Sequence, residues 1–193
     1  MAAVKVMVFS DFTCPFSYVT EAALRRIGEE MPLEVRALPF ELYPAPAPLP
    51  PAPDTGWEEV LRPLAAEVGI ALRPPAAAMR TRKAHEAARF AAQQGAGPAM
   101  REAIFRAVFA EGRDVGRIDV LSALAGEVGL DPTEARVVLD VDTFAAEVAR
   151  EEEAARRAGV TATPTLVTGE GAEARVLAGA MPLAELRAAL RGG

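Results

Sequence analysis

A chain of 193 residues, 51% of them hydrophobic, is long enough to bury a core and too short for more than one large domain or one domain with a sizeable insertion; disorder and small disulfide-stapled scaffolds are excluded. Twenty-one Lys and Arg against 27 Asp and Glu leave a net charge of -6, without the broad basic field that a phosphate backbone requires, so nucleic acid is not an expected partner. One cysteine and one histidine exclude a Cys/His zinc site and any intramolecular disulfide, and a single thiol fits a reducing compartment. No basic-then-apolar leader opens the sequence and no apolar run reaches about eighteen residues, so the expectation is a soluble cytoplasmic protein with no metal and no membrane partner.

Val4 to Phe9 is apolar apart from Lys5 and short, as expected of a central strand buried on both faces. After Thr13-Cys14-Pro15, Val19, Ala23 and Ile27 recur at one-turn spacing, which predicts a helix to about Met31 closed by Gly28 and Pro32. Leu33 to Leu42 returns to strand character, with Pro39 marking an edge or a bend. Tyr43 to Pro53 is mostly proline and alanine and reads as an extended, polyproline-like connection. From Trp57 to about Ala158 the pattern is helical: Thr81 to Gln94, Pro98 to Glu111, Ile118 to Val128, and Pro132 to Arg157 with a break near Asp142-Thr143. Gly95, Gly112, Gly129 and Gly159 stand where helix C-caps belong. Strands return at Thr165 to Thr168 and Arg175 to Leu177 around a Gly169-Glu170-Gly171 hairpin loop, before a last helix from Pro182 to Leu190. The expected layout is α/β, with residues 1–43 and 159–193 forming the sheet-bearing unit and residues 54–158 an inserted helical one.

Sharp chemical content is confined to Phe12-Thr13-Cys14-Pro15-Phe16-Ser17-Tyr18, where the first strand hands over to the first helix. Pro15 suits the first helical position, since its missing N–H would be unpaired there, and this makes Cys14 the N-cap. Its sulfur then faces free amides and the positive end of the helix dipole, which favours the thiolate and an acidity greater than that of a free thiol. The Ser17 hydroxyl, one turn on, is placed to donate to the same sulfur. A lone cysteine is more often an inert core residue; a place before proline at a helix start reverses that preference.

With these residues the sequence resembles the DsbA family of thioredoxin-fold proteins, and more closely its cytoplasmic FrnE-like branch. The resemblance spans nearly the whole chain. It rests on Asp11 to Tyr18, on Thr81-Arg82-Lys83-Ala84-His85 with Ala88 to Ala91, on Ile104 to Phe109 with Glu111 to Val115, on Gly159 to Thr165, and on Gly179-Ala180-Met181-Pro182. It implies a thioredoxin fold with an inserted all-helical domain, a catalytic Cys14, and an active-site cis-proline at Pro164 that presents the Thr163 backbone as an edge for an extended peptide or glutathione. Without the resemblance, Pro164 reads equally well as an ordinary trans proline before a strand. Cys14 and Ser17 are the candidate catalytic residues, with Pro15, Phe16, Thr163 and Pro164 as candidate substrate contacts.

The branch usually carries a second, resolving cysteine where this chain has Ser17. A whole disulfide cannot then be exchanged within the protein, and what remains is monothiol chemistry, with no bound cofactor and with glutathione as co-substrate or a protein thiol as partner. Two other readings stand beside it. Kappa-class glutathione transferases and glutathione-dependent 2-hydroxychromene-2-carboxylate isomerases have a similar start with serine in place of Cys14, where the residue steadies a glutathione thiolate; a redox-inactive peptide-binding module is the third. His85 is tempting as a base for Cys14 but reads as a half-buried packing residue. Glu151-Glu152-Glu153, followed by Arg156 and Arg157, reads as a solvated helix face. Phe40, Tyr43, Trp57, Phe105 and Phe109 read as core, some of them covering the sulfur. Oligomeric state is not legible.

Overall fold

The computed structural model describes residues 3–51, 55–169, 171 and 174–192. Strand β1 (Val4–Ser10), helix α1 (Pro15–Gly28) and strand β2 (Leu33–Pro39) open the chain. Helices α2 (Glu58–Val68), α3 (Arg82–Gln93), α4 (Gly97–Phe109), α5 (Ile118–Glu127), α6 (Pro132–Asp140) and α7 (Ala145–Arg157) follow, and β3 (Thr165–Thr168), β4 (Arg175–Ala178) and α8 (Leu183–Arg191) close it. The sheet order is β2-β1-β3-β4, parallel between β1 and β2 and antiparallel elsewhere, and among the described residues six helices lie between β2 and β3. The expected break near Asp142 is present, with Asp142 at φ 56 between α6 and α7.

Alternation puts Val6 and Val8 of β1 and Leu166 of β3 on one face. They pack there against Ala23, Leu24 and Ile27 of α1 and Leu186 and Leu190 of α8. Each of the valine, leucine and isoleucine side chains contributes about 1.5–3 kcal/mol on burial. The opposite face corrects the expectation that β1 is covered on both sides. Phe9 and Leu38 meet Phe40, Ala155 and Val160 at one end, but Met7 remains 37% exposed and Val176 66%. Residues of α7 and the turn after it reach only that end of the strands.

The inserted helices enclose a second core of Met100, Ile104, Phe105, Phe109, Leu121 and Leu139, and Phe12 and Tyr18 enter it from the sheet side. Tyr18 stacks on Phe105 at 5.2 Å and on Phe109 at 5.7 Å between ring centroids. The residues flanking Cys14 in sequence are therefore anchored in the helical core. Helix α2, which the sequence pattern did not delimit, packs Trp57, Leu61 and Ala65 onto Val19 of α1.

Two readings need correction here. The proline-rich connection is not extended throughout: Ala47 N–H donates to Pro44 O at 3.1 Å in a turn, the Ala45–Pro46 bond is cis, and Arg80 donates to Tyr43 O and Ala47 O, both at 2.5 Å. Residues 52 and 53 of that connection, Asp54 at the start of the expected insert, and Glu170 of the hairpin loop lie outside the described residues. The triple-glutamate run is not a solvated face. Glu153 does pair with Arg157 at 3.1 Å, but Glu151 pairs with Arg36 and Arg89, and Glu152 is buried against Arg82 and Glu41.

Candidate functional site

Cys14 is the N-cap of α1, with φ -91 and ψ 112 and Pro15 following at the first helical position. Its amide donates to Asp11 O at 3.1 Å and its carbonyl accepts from Tyr18 N–H at 3.2 Å, which closes the first turn. The side chain makes no capping hydrogen bond. Instead Sγ donates to the carbonyl of Thr163, 149 residues away in sequence, at 3.3 Å. The Thr163–Pro164 bond is cis, as the resemblance implied, and Thr163 O is the atom directed at the sulfur. The next strand is fixed by Thr165 Oγ1, which donates to Ala162 O at 2.8 Å, and by Gly179 N–H, which donates to Pro164 O at 2.9 Å.

The six candidate residues fall in one place. Cys14 is 4% exposed, Ser17 and Pro15 are buried with it, Pro164 is buried, and Phe16 and Thr163 are half-exposed at the rim. The expected acidity is reversed. Burial pushes the Cys14 thiol above its ordinary value, and the opposing pull of the Ser17 hydroxyl, the Thr163 hydroxyl and the Ser17 N–H does not overcome it. Neither hydroxyl has settled on a partner, and Thr13 Oγ1 nearby is unpaired as well. The resting group is a thiol donating to a carbonyl, beside hydroxyls free to turn toward sulfur once it becomes an anion.

Ser17→Ala removes one such donor. Because hydrogen bonds to a charged partner contribute about 1.5 kcal/mol or more, the variant is expected to raise the Cys14 midpoint further and slow alkylation near neutral pH about tenfold. Iodoacetamide rates against pH measure this; an unchanged midpoint removes Ser17 from the site.

Charged residues that sequence patterning missed stand behind the sulfur. Asp11, fully buried, accepts from Thr13 N–H at 3.3 Å and Leu42 N–H at 2.5 Å, with His85 Nε2 3.8 Å from its Oδ1. Burial alone would raise this carboxyl, but His85, the Leu42 N–H and the Thr81 hydroxyl together hold it below its ordinary value. His85 is thus fully rather than half buried, with its ring 4.9 Å from that of Phe12 and Asp11 as its ionic neighbour. On the other side of Phe12, Glu21 accepts from Ser10 Oγ at 2.6 Å and from Arg101 Nε at 2.7 Å, and the Arg101 guanidinium lies 4.7 Å from the Phe12 ring centroid. The polar pair Ser10-Asp11 ending an apolar strand was the available signal, since two polar residues there need buried partners.

The comparisons with known proteins bear on the family and the fold. A relative from Bacillus subtilis (strain 168), the uncharacterized protein YwbO, is 34% identical over 176 residues, covering 86% of this chain and 88% of YwbO. The crystal structure of the probable DsbA oxidoreductase SCO1869 from Streptomyces coelicolor superposes with a TM-score of 0.84 at 28% identity, over 98% of this chain and 89% of that one. Two further structures share the fold. A 2-hydroxychromene-2-carboxylate isomerase matches with a TM-score of 0.78 at 19% identity, over 97% of this chain and 95% of its own. The cytosolic disulfide reductase DsbM from Pseudomonas aeruginosa with GSH matches with a TM-score of 0.70 at 22% identity, over 97% and 98%. The DSBA-like thioredoxin domain model matches residues 5–191. A cysteine capping the first helix, a cis-proline loop against its sulfur and helices inserted into a four-stranded sheet are therefore the features of a chain that belongs to the DSBA-like thioredoxin domain family.

Proposed function

We propose that this protein is a cytoplasmic monothiol oxidoreductase that removes glutathione from mixed disulfides. The observation that carries the reading is a lone cysteine at the N-cap of α1 whose sulfur donates to the Thr163 carbonyl at the cis-proline, with a serine one turn on. In the first step the Cys14 thiolate attacks the glutathione sulfur of a mixed disulfide, the old S–S bond breaks, and the substrate leaves as a thiolate that takes up a proton. In the second step a glutathione thiolate attacks the glutathione sulfur now bound to Cys14, releasing Cys14 and oxidised glutathione. The balance is one mixed disulfide and one glutathione giving one thiol and one glutathione disulfide. Ser17 supports the sulfur anion, Pro15 and Phe16 flank the incoming group, and the Thr163–Pro164 edge receives the glutathione backbone. The glutathione present with DsbM supports the choice of co-substrate.

Steady-state reduction of a glutathionylated peptide by glutathione tests this. Cys14→Ser is expected to abolish the protein-dependent rate; a Cys14→Ser variant with full activity overturns the proposal. A second reading rests on its own observation: burial keeps the resting Cys14 a thiol, and a thiol donates, as a serine does, to a glutathione thiolate bound beside it. The fold match to the isomerase accords with that role. In that case Cys14→Ser retains glutathione-dependent isomerisation of a chromene-type substrate.

A further inference from the structure

Strand β2 lies at one edge of the sheet, and its outer side opens into a cleft of about 660 Å³ walled by α1, α3, α4 and α7. Val4 N–H donates to Pro32 O at 3.0 Å and Phe40 N–H to Ser10 O at 3.1 Å, which fixes the even-numbered residues as those facing β1. Since a strand alternates, Leu33, Val35 and Ala37 direct their N–H and C=O groups away from the sheet. All three line the cleft, Val35 is 43% exposed, and among the described residues no second strand pairs with β2.

The walls are shaped for a slender occupant. Ala22 and Gly28 on α1 face Ala88, Ala92 and Gly97 on α3 and α4, while Tyr18 and Phe105 supply an apolar floor. The cations are already matched: Arg101 is bound to Glu21, Arg25 to Glu102 at 2.8 Å, Arg36 to Glu151 at 3.3 Å, and Arg89 to Glu147 at 3.1 Å. An anionic ligand would have to displace one of these carboxylates. Besides His85 Nε2, which lacks a hydrogen-bond partner, the outward amides and carbonyls of β2 are presented at every second residue along an extended strand. The chemistry that answers that pattern is another extended backbone, and the volume is within the range of about 300–1,000 Å³ typical of ligand sites.

We propose that this cleft binds an extended, uncharged polypeptide segment, which adds to β2 as a fifth strand. The site is separate from the sulfur, and the proposal does not rest on thiol chemistry.

The test uses a doubly capped heptapeptide of alternating valine and threonine, without cysteine, titrated into the full chain while amide hydrogen exchange is followed. Binding is expected to slow exchange at Leu33, Val35 and Ala37. Val35→Pro, which deletes an outward N–H and leaves the ladder to β1 intact, and Ala92→Trp, which fills the mouth of the cleft from an exposed position, are each expected to weaken binding at least tenfold. Ala92→Trp covers the case in which the proline variant fails to fold. Cys14→Ser should bind as the parent does, so loss of the oxidoreductase reading would leave this result standing. The proposal is overturned by absence of binding, by protection at Thr163 instead of β2, by binding unaffected in Ala92→Trp, or by sedimentation showing that β2 is occupied by a second copy of the chain.

Discussion

Ser17→Cys is expected to convert the protein from one that cannot carry a disulfide alone into one that can. The two positions are the N-cap and the third residue of α1, one turn apart and buried together, so an S–S bond is expected to form there with little backbone movement. After treatment with oxidised glutathione, the variant should lose two hydrogens by mass, show no free thiol, and then pass its disulfide to a reduced protein substrate without added glutathione. The parent, under the same treatment, should stop at a glutathione adduct on Cys14, because its mixed disulfide has no internal thiol to resolve it. A variant that remains a dithiol, or a parent that transfers disulfides unaided, would place residue 17 outside the reach of the sulfur.

The second large effect is expected at Arg82, the first residue of α3. Its Nε donates to Glu41 Oε1 at 2.6 Å and its Nη2 to Glu152 Oε2 at 2.6 Å, while Glu41 N–H donates to Glu152 Oε1 at 2.7 Å. Three segments distant in sequence, after β2 and on α3 and α7, are thus joined through two buried carboxylates and one guanidinium. Arg82→Met leaves both carboxylates buried without their cation, and the expected cost is about 3–5 kcal/mol near neutral pH. Glu152→Gln in the same chain should recover much of it, because the amide oxygen still accepts from Glu41 N–H and only one charge is left.

The pH dependence has a definite sign. Burial, then the neighbouring Glu152, pushes the Glu41 carboxyl above its ordinary 4.5 in the folded state, so the folded protein holds that proton more tightly than the unfolded chain. Stability therefore declines as pH rises from 4.5 through the raised value, and without Arg82 that window extends further upward. Urea unfolding at about pH 5 and about pH 8 should show the smaller loss at the acid side. Equal losses at both would mean that the pair is not linked through charge.

Much of this architecture was legible because it rests on local rules. The β1 run, the caps at Gly95, Gly112, Gly129 and Gly159, all of which adopt positive φ, and the Cys14-Pro15 start each follow from a few adjacent residues. The resemblance to DsbA proteins supplied the partner loop at Thr163–Pro164, which no local pattern could bring to Cys14. What patterning missed is long-range polar burial. Glu152 looks like a surface residue in its own helix and becomes a core residue only because Glu41 and Arg82 arrive from elsewhere. The acidity of Cys14 failed for the same reason: the helix terminus is visible in sequence, but the helices and strands that remove water from the sulfur are not.

The contact between Cys14 and Thr163 also sets a schedule for the newly made chain. Residue 163 is added 149 residues after the cysteine, so the Thr163 carbonyl cannot meet the sulfur until nearly the whole chain has been made. At ordinary rates of protein synthesis that interval is on the order of ten to thirty seconds. Through it the nascent thiol has neither its carbonyl partner nor the dry surroundings that later raise its pKa. The sulfur is therefore more open to oxidants and stray disulfides on the ribosome than at any time after folding.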